Sequence, residues 1–353
     1  MMRLNDKSPE ETALVTIKEI AAEAGVSVMT VSNVINGNSA RVSPATAERV
    51  REILQKHHYV RNMAARTLSS RSSRIIGVLL PVWYEDSASM LLDPYAGQMV
   101  GYIEEALRIR QYYPMIFSFK KAEQVLTVQK TWQIDGMILI MPHQDDVTHA
   151  LIEQSDFPLV VLDRYFEDLP MLSVGIDDRK GGYLAARCLL EKGHRHIGFV
   201  APAIQASSVI HDRYLGFQDA LREFGADENP DWVFDSVFHQ EGGEETARKI
   251  LAMESRPTGM IASEDLIACG LVRGVQEAGF PVPEALSVIG FDDSLPSRLI
   301  SPSLTTIGQD IREKAMTAIG MLFQAISDLS FRVQRKVLDV RLVERQSVCP
   351  VRR

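Results

Sequence analysis

Two different apolar periodicities divide this chain. Over residues 15–60 the apolar positions fall at helical spacing: Ile17, Ile20, Ala21 and Ala24, then Val31 and Val34, then Ala47, Val50, Ile53 and Leu54. That spacing predicts short amphipathic helices packed face to face. From Ile75 onward the pattern changes to continuous apolar runs separated by helical stretches, as in a parallel sheet covered on both faces. Strands are expected at 75–81, 115–119, 136–141 and 159–162, with helices within 100–109 and 122–131. A second series begins near Leu172, with strands at 197–200, 259–262 and 287–291 and helices at 182–191, 214–224, 244–253 and 265–279. Two similar βα series predict two doubly wound parallel sheets with a cleft between them.

Within the first region the turn chemistry is specific. Thr16 and Ser27 are placed to cap the helices that follow, and Gly25 sits where the chain bends between them. Ser43 and Pro44 start a third helix. This leaves Val28, Met29, Thr30, Ser32 and Asn33 facing outward near the start of the second helix. A helix-turn-helix presents such residues to base edges in the major groove, although the spacing alone also fits a plain helical hairpin.

Charge sharpens the division. The net charge is -8, which argues against indiscriminate binding of nucleic acid by the whole surface. Residues 1–74 nevertheless hold 11 Lys and Arg against 7 Asp and Glu, leaving 27 against 39 in the remainder. A basic headpiece on an acidic body suits a protein that touches DNA at one end. Cys188, Cys269 and Cys349 are odd in number, widely spaced and without CxxC spacing, so a reducing, cytoplasmic location is expected. No apolar run approaches the ~20 residues of a membrane span, and no signal-peptide core opens the chain. No cofactor is expected. There is no P-loop, no GxGxxG after a strand and no nucleophile motif, so no catalytic residue is assigned and the chain is not read as an enzyme. His194 and His196 lack partners at metal-ligand spacing, so no metal is assigned and surface or capping roles are expected.

After the helical region come Arg61 and Asn62, then Ala64, Ala65 and Leu68 in an Asn-x-Ala-Ala-x-x-Leu context. The body carries GHRHIGF at 193–199, RYLGF at 213–217, SVIGFDD at 287–293, PSLTTI at 302–307 and LVERQS at 342–347. In this order the motifs resemble those of the lactose-repressor (LacI/GalR) family of bacterial transcription regulators. The resemblance covers nearly the whole chain. It implies a helix-turn-helix headpiece on a two-lobed, periplasmic-binding-protein-like body whose lobes are connected three times. The expected division is a disordered lead-in at 1–14, the DNA-binding domain at 15–60 and a hinge helix or linker at 61–73. An effector-binding and dimerisation domain follows at 74–350, with lobe one at about 74–171 and 304–334 and lobe two at about 172–303 and 335–350.

The resemblance also implies roles. Asn62, Ala65 and Leu68 form a hinge on the minor groove, where Leu68 wedges between base steps. Arg61 stands where the family has proline. Lys18, Arg41, Arg49 and Arg61 are the candidate phosphate contacts, with ordinary surface charge as the alternative. Asp163, Arg213, Glu264, Asp292 and Gln309 match effector-binding positions, and Phe238 approximately matches an aromatic cleft wall. Glu264 replaces a usual asparagine. Each has a structural reading beside it: Asp163 pairing with Arg164, Asp292 capping a helix, Arg213 neutralising a buried aspartate. An arginine facing carboxylates suits a sugar or sugar derivative. The expected function is a homodimeric regulator, most simply a repressor, that binds a palindromic operator in double-stranded DNA under control of this effector. A protein-controlled regulator, or a ligand receptor without an operator, are the alternatives. No heptad pattern follows Ser347, so no tetramerisation helix is expected.

Asn33 stands where most of the family carries arginine. Asparagine bonds in bidentate fashion to adenine, whereas arginine pairs with guanine. Binding-site selection should therefore return half-sites resting on A·T pairs at the positions read by Asn33, and an invariant guanine there would overturn the assignment.

Overall fold

Hydroxyl caps open the three described α-helices of the N-terminal unit in the computed structural model. That model describes residues 15–35, 37, 41–59, 72–82, 90–143, 145–166, 168–202, 204, 208–328, 330–331 and 333–351. The chain divides into two units, Met1–Arg71 and Ser72–Arg353. In the first, Thr16 caps α1 (Ile17–Ala24) through a reciprocal box: its hydroxyl accepts from Glu19 N–H, and the Glu19 carboxylate accepts from Thr16 N–H at 2.7 Å. Gly25 ends the helix at φ 61°, a left-handed turn that costs a residue without Cβ little. Ser27 accepts from Thr30 N–H at 3.1 Å at the start of α2 (Val28–Ile35), and Ser43 caps α3 (Pro44–Lys56). Ile20, Ala21, Ala24, Val31, Val34, Ala47 and Val50 form the buried core of these three helices. Glu23 of α1 holds both Lys56 and His57 at the end of α3, at 2.7 and 2.6 Å.

The second unit contains two six-stranded sheets. The strands of the first are β1 (Ile75–Pro81), β2 (Tyr113–Phe119), β3 (Gly136–Ile140), β4 (Leu159–Leu162), β5 (Leu172–Ile176) and β11 (Gln334–Leu338), in the order β11-β5-β4-β3-β1-β2. The second runs β12-β10-β9-β8-β6-β7, with β6 (Ile197–Ala201), β7 (Val233–Asp235), β8 (Gly259–Ala262), β9 (Ser287–Asp292), β10 (Thr305–Gln309) and β12 (Val340–Val343). All pairings are parallel except β10 with β12. Helices α4 (Pro94–Ile109), α5 (Ala122–Trp132), α6 (Asp146–Gln154), α7 (Asp178–Glu191), α8 (Ser208–Glu223), α9 (Gln240–Leu251), α10 (Asp265–Glu277), α11 (Leu295–Leu299) and α12 (Ile311–Ser327) connect the strands. None of the described helices is long and apolar enough to cross a membrane.

The lobe boundaries expected at 172, 304 and 335 move. Leu172 pairs with Val160, so β5 belongs to the first sheet and the second series starts only at α7. Thr305 pairs with Ile289, which puts β10 in the second sheet, and Gln334 pairs with Leu172, which returns β11 to the first. A buried parallel strand has the same apolar run in either sheet, so strand content alone could not say where one series ended. Helix α12 does pack on the first sheet and on α4. The chain thus crosses between lobes three times, each time through one residue: Asp177 between β5 and α7, Asp310 between β10 and α12, and Asp339 between β11 and β12.

Glycine allows the closest helix contact in the second lobe. A Cβ on Gly182 of α7 would lie 1.8 Å from the Arg213 carbonyl oxygen, and one on Gly216 of α8 would lie 1.8 Å from that of Arg179. The two helices therefore touch backbone to backbone, which fixes the depth at which Arg213 enters the site. Alanine in place of glycine favours an isolated helix by about 1 kcal/mol, but overpacking costs about 1–3 kcal/mol. Gly182→Ala and Gly216→Ala should each lower unfolding free energy in urea, and a gain would show that the helices do not meet this closely.

Candidate functional site

The helix-turn-helix core fixes which face of α2 looks outward. With Val31 and Val34 buried, Val28 and Met29 remain 42% and 70% exposed. Thr30, Ser32 and Asn33 are half-buried. The Thr30 hydroxyl lies 2.9 Å from that of Ser27, so part of its hydrogen-bonding capacity belongs to the cap. Lys18, Arg41 and Arg49 are exposed. Arg61, Asn62, Ala65 and Leu68 lie outside the described residues, as does the lead-in at 1–14.

In the body, the carboxyl ends of strands from both sheets supply one polar network, where open α/β sheets bind ligands. Asp163 follows β4, Asp292 and Gln309 end β9 and β10, and Ser263 and Glu264 follow β8. Lys314 of α12 is completely buried at its centre. Its ammonium donates to Asp163 Oδ1 and Gln309 Oε1 at 2.5 Å each, and to the Tyr95 hydroxyl at 3.0 Å. Three donors meet three acceptors. The Tyr95 hydroxyl donates in turn to Asp163 Oδ2, and the Gln309 amide donates to Asp292 Oδ1 at 2.6 Å.

Arg213 organises the other side. Its Nε donates to Asp178 Oδ1 at 2.8 Å, Nη1 donates to the Ser263 carbonyl at 2.5 Å, and the guanidinium stacks 3.6 Å from the Phe291 ring centroid. Burial works against its charge, but Asp178, Asp292 and Asp163 outweigh burial and strengthen it. Burial pushes Asp178 up to about 6, against the pull of Arg213, and raises Asp292. Asp265 accepts from the Ser294 N–H and hydroxyl at 2.7 and 2.8 Å and from the Thr306 hydroxyl at 2.7 Å, yet burial and then Asp292 push it up to about 7. Asp163 and Asp292 have φ of 59° and 107°, conformations uncommon outside glycine that persist where surrounding structure imposes them.

Of the expected effector residues, Asp163, Arg213, Asp292 and Gln309 come together, with Glu264 beside them. Phe238 is half-buried against the same apolar core, while the ring under Arg213 is Phe291. Two structural readings are partly realised: Arg213 does neutralise a buried aspartate, and Asp163 is paired, but with Lys314 instead of Arg164, which donates to the Pro142 carbonyl. Sequence reasoning missed Asp93, Asp178, Asp265 and Lys314. Lys314 had a signal, as a cation on the apolar face of Ile311, Ala315, Ala318 and Leu322. Asp93 and Asp178 resembled ordinary helix-start residues.

No group of three or more metal-ligating side chains is arranged around an ion among the described residues. His196 is exposed as expected, but His194 is buried, bridging the Thr258 hydroxyl and the Cys349 carbonyl at 2.8 and 2.9 Å. A separate hollow bounded by Ile152, Phe157, Met171 and Phe331 shares none of the network's residues and carries no charged side chain.

Residues 16–62 match the model of bacterial regulatory proteins of the lacI family, and residues 186–348 match a periplasmic binding protein-like domain. The chain is 32% identical to the ribose operon repressor of Haemophilus influenzae, over 95% of this chain and 99% of that protein. It is 32% identical to the HTH-type transcriptional repressor PurR of Pasteurella multocida, with the same shares covered. Among solved structures, the lac repressor dimer bound to operator and the anti-inducer ONPF superposes with a TM-score of 0.84, at 26% identity over 95% of this chain and 99% of that one. A LacI-family regulator from Enterococcus faecium with bound ribose gives 0.68, at 29% identity over 79% of this chain and 100% of that one.

The buried Lys314–Asp163 pair should reveal itself by what its loss leaves behind. Lys314→Met strands a buried carboxylate and should cost about 3–5 kcal/mol. Adding Asp163→Asn should recover part of that loss in equilibrium denaturation, and strictly additive losses would show that the two side chains do not interact.

Proposed function

The chain belongs to the lacI family of bacterial regulatory proteins, and on that premise we propose how its two ends work together. It is a DNA-binding repressor of transcription, not an enzyme, and it acts as a dimer with a small-molecule effector. A palindromic operator matches the two-fold symmetry of paired headpieces. In this reading α2 enters the major groove with Val28, Met29 and Asn33 toward base edges, while Lys18, Arg41 and Arg49 neutralise phosphates. Arg61, Asn62, Ala65 and Leu68 continue the contact into the minor groove. The protein works in the cytoplasm, where its operator is.

The effector is a sugar or sugar derivative bound between the lobes by Asp163, Arg213, Asp292 and Gln309, with Glu264 and Phe238 at its edges. The observation that carries this reading is the buried network at facing strand ends. It combines carboxylates that accept from hydroxyls with a guanidinium fork that donates to them. The bound ribose of the Enterococcus faecium regulator supports a carbohydrate here. A ligand that binds one lobe arrangement better than another shifts the population of that arrangement, and with it the fit of two headpieces to one operator.

Operator duplexes selected from a random pool provide the test, with binding followed by fluorescence anisotropy across a sugar panel. Wild type should bind with a steep inverse dependence on salt and respond to at least one sugar. Arg213→Ala and Asp292→Asn should retain operator affinity and lose the response, with effector affinity down about a hundredfold. Retention of the full response in both variants would remove the effector from this cleft.

A further inference from the structure

Six carboxyl groups, those of Asp93, Asp163, Asp178, Glu264, Asp265 and Asp292, gather at the cleft around two cationic side chains. Both cations are committed. Lys314 is paired with Asp163 and Arg213 with Asp178, and Asp265 is met by the Ser294 and Thr306 donors. Three carboxyl groups have no cation bonded to them among the described residues. Asp93 caps α4 in the first lobe and accepts from the Ala96 N–H at 2.8 Å. Asp292 ends β9 in the second lobe and accepts from the neutral Gln309 amide. Glu264 precedes α10 in the second lobe, and its Oε1 is shut off from solvent with no hydrogen-bond donor. The Ser263 hydroxyl beside it is buried and unpartnered as well.

The three face one another across the lobes. Burial pushes Glu264 well above the usual carboxylate range, and Asp93 and Asp292 push it further, with only partial relief from Arg213. Burial also takes Asp93 up to about 6, with Asp292 adding to the rise. Arg213 and Lys314 offset part of the Asp292 charge and His239 part of that of Asp93, but carboxylates brought together away from water still cost free energy, and a counter-charge lying between them relieves it. The described carboxylates are not grouped to share a metal ion. Gln309, Tyr95 and Ser263 add neutral polar groups of the kind that bind hydroxyls.

We propose that the effector is a positively charged polyol of the amino-sugar class, whose ammonium group lies between Asp93 and Glu264 with Asp292 beside it. This deepens the cleft reading above and rests on it. The ligand's hydroxyls take the Arg213 and Gln309 side, and its charge neutralises the carboxylates that otherwise oppose closure of the lobes. The same carboxylates disfavour sugar phosphates and uronic acids.

Calorimetric titration and thermal shift on the full chain test this with matched sets: glucosamine, galactosamine and mannosamine, each beside its parent sugar and its N-acetyl derivative. At least one amine should bind tenfold or more tighter than both neutral counterparts. Glu264→Gln and Asp93→Asn should each weaken that amine about tenfold while raising the melting temperature of the ligand-free protein. Asparagine caps a helix as well as aspartate does, so Asp93→Asn leaves α4 intact. Neutral sugars that bind as tightly as their amines, with binding lost in Asp292→Asn, would overturn the charge inference and leave the cleft reading standing. Sugar binding indifferent to Glu264→Gln, Asp93→Asn and Asp292→Asn alike would overturn both. No binding by any amine, with Glu264→Gln no more stable than wild type, would also overturn the inference.

Discussion

The Lys314 side chain is sealed from solvent, so its donors have to be met within the interior, and an unmet donor or unpaired charge at that depth is prohibitive. Two of its partners come from distant stretches of sequence, Tyr95 at the start of α4 and Asp163 after β4, while Gln309 lies five positions before it at the end of β10. Satisfying that one group therefore fixes the ends of strands in both sheets relative to α12. Gln309 passes the constraint to Asp292, and the field of Asp292 reaches Arg213, Asp265 and Glu264. A change in lobe separation would alter the environment of all of these groups together.

Arg213 shows how packing delivers chemistry. Its guanidinium is placed by a contact between α7 and α8 that only residues without Cβ allow, and Phe291 sits beneath it. Gly181, next to Gly182, is also in reach of that ring, at 2.6 Å from an added Cβ. The arginine that the motif identifies is thus held by glycines that look incidental in sequence.

How far the sequence could be read varied with burial. The strands Ile75–Pro81 and Gly259–Ala262 were legible to the residue, because a strand covered on both faces must be apolar throughout. β7 and β11 were not: one has three half-exposed or exposed residues, and the other is exposed for four of its five. Both lie at sheet edges, where no apolar run is required. The placing of Asp163, Asp292 and Gln309 at the ends of core strands was legible, because the apolar runs that lead into them are recognisable. The partner of Asp163 was not, since the pairing with Lys314 spans 151 positions and depends on the fold having closed. Asp93 was hidden more thoroughly, because its local role as a helix cap already accounts for an aspartate there.

Each lobe crossing is a single aspartate bound to the end of a rigid element. Asp177 and Asp310 cap α7 and α12, and Asp339 accepts from Val340 N–H and from Lys180 of α7. Asp177 N–H also donates to the Leu338 carbonyl, tying the first crossing to the third. Joints this short tolerate changes of a few backbone angles but hardly lengthen, so sliding one lobe over the other would strain all three at once. Rotation about a line through them would not. Short joints of this kind favour hinge rotation over shear, so the expected soft motion of the body is a change of angle between its two sheets.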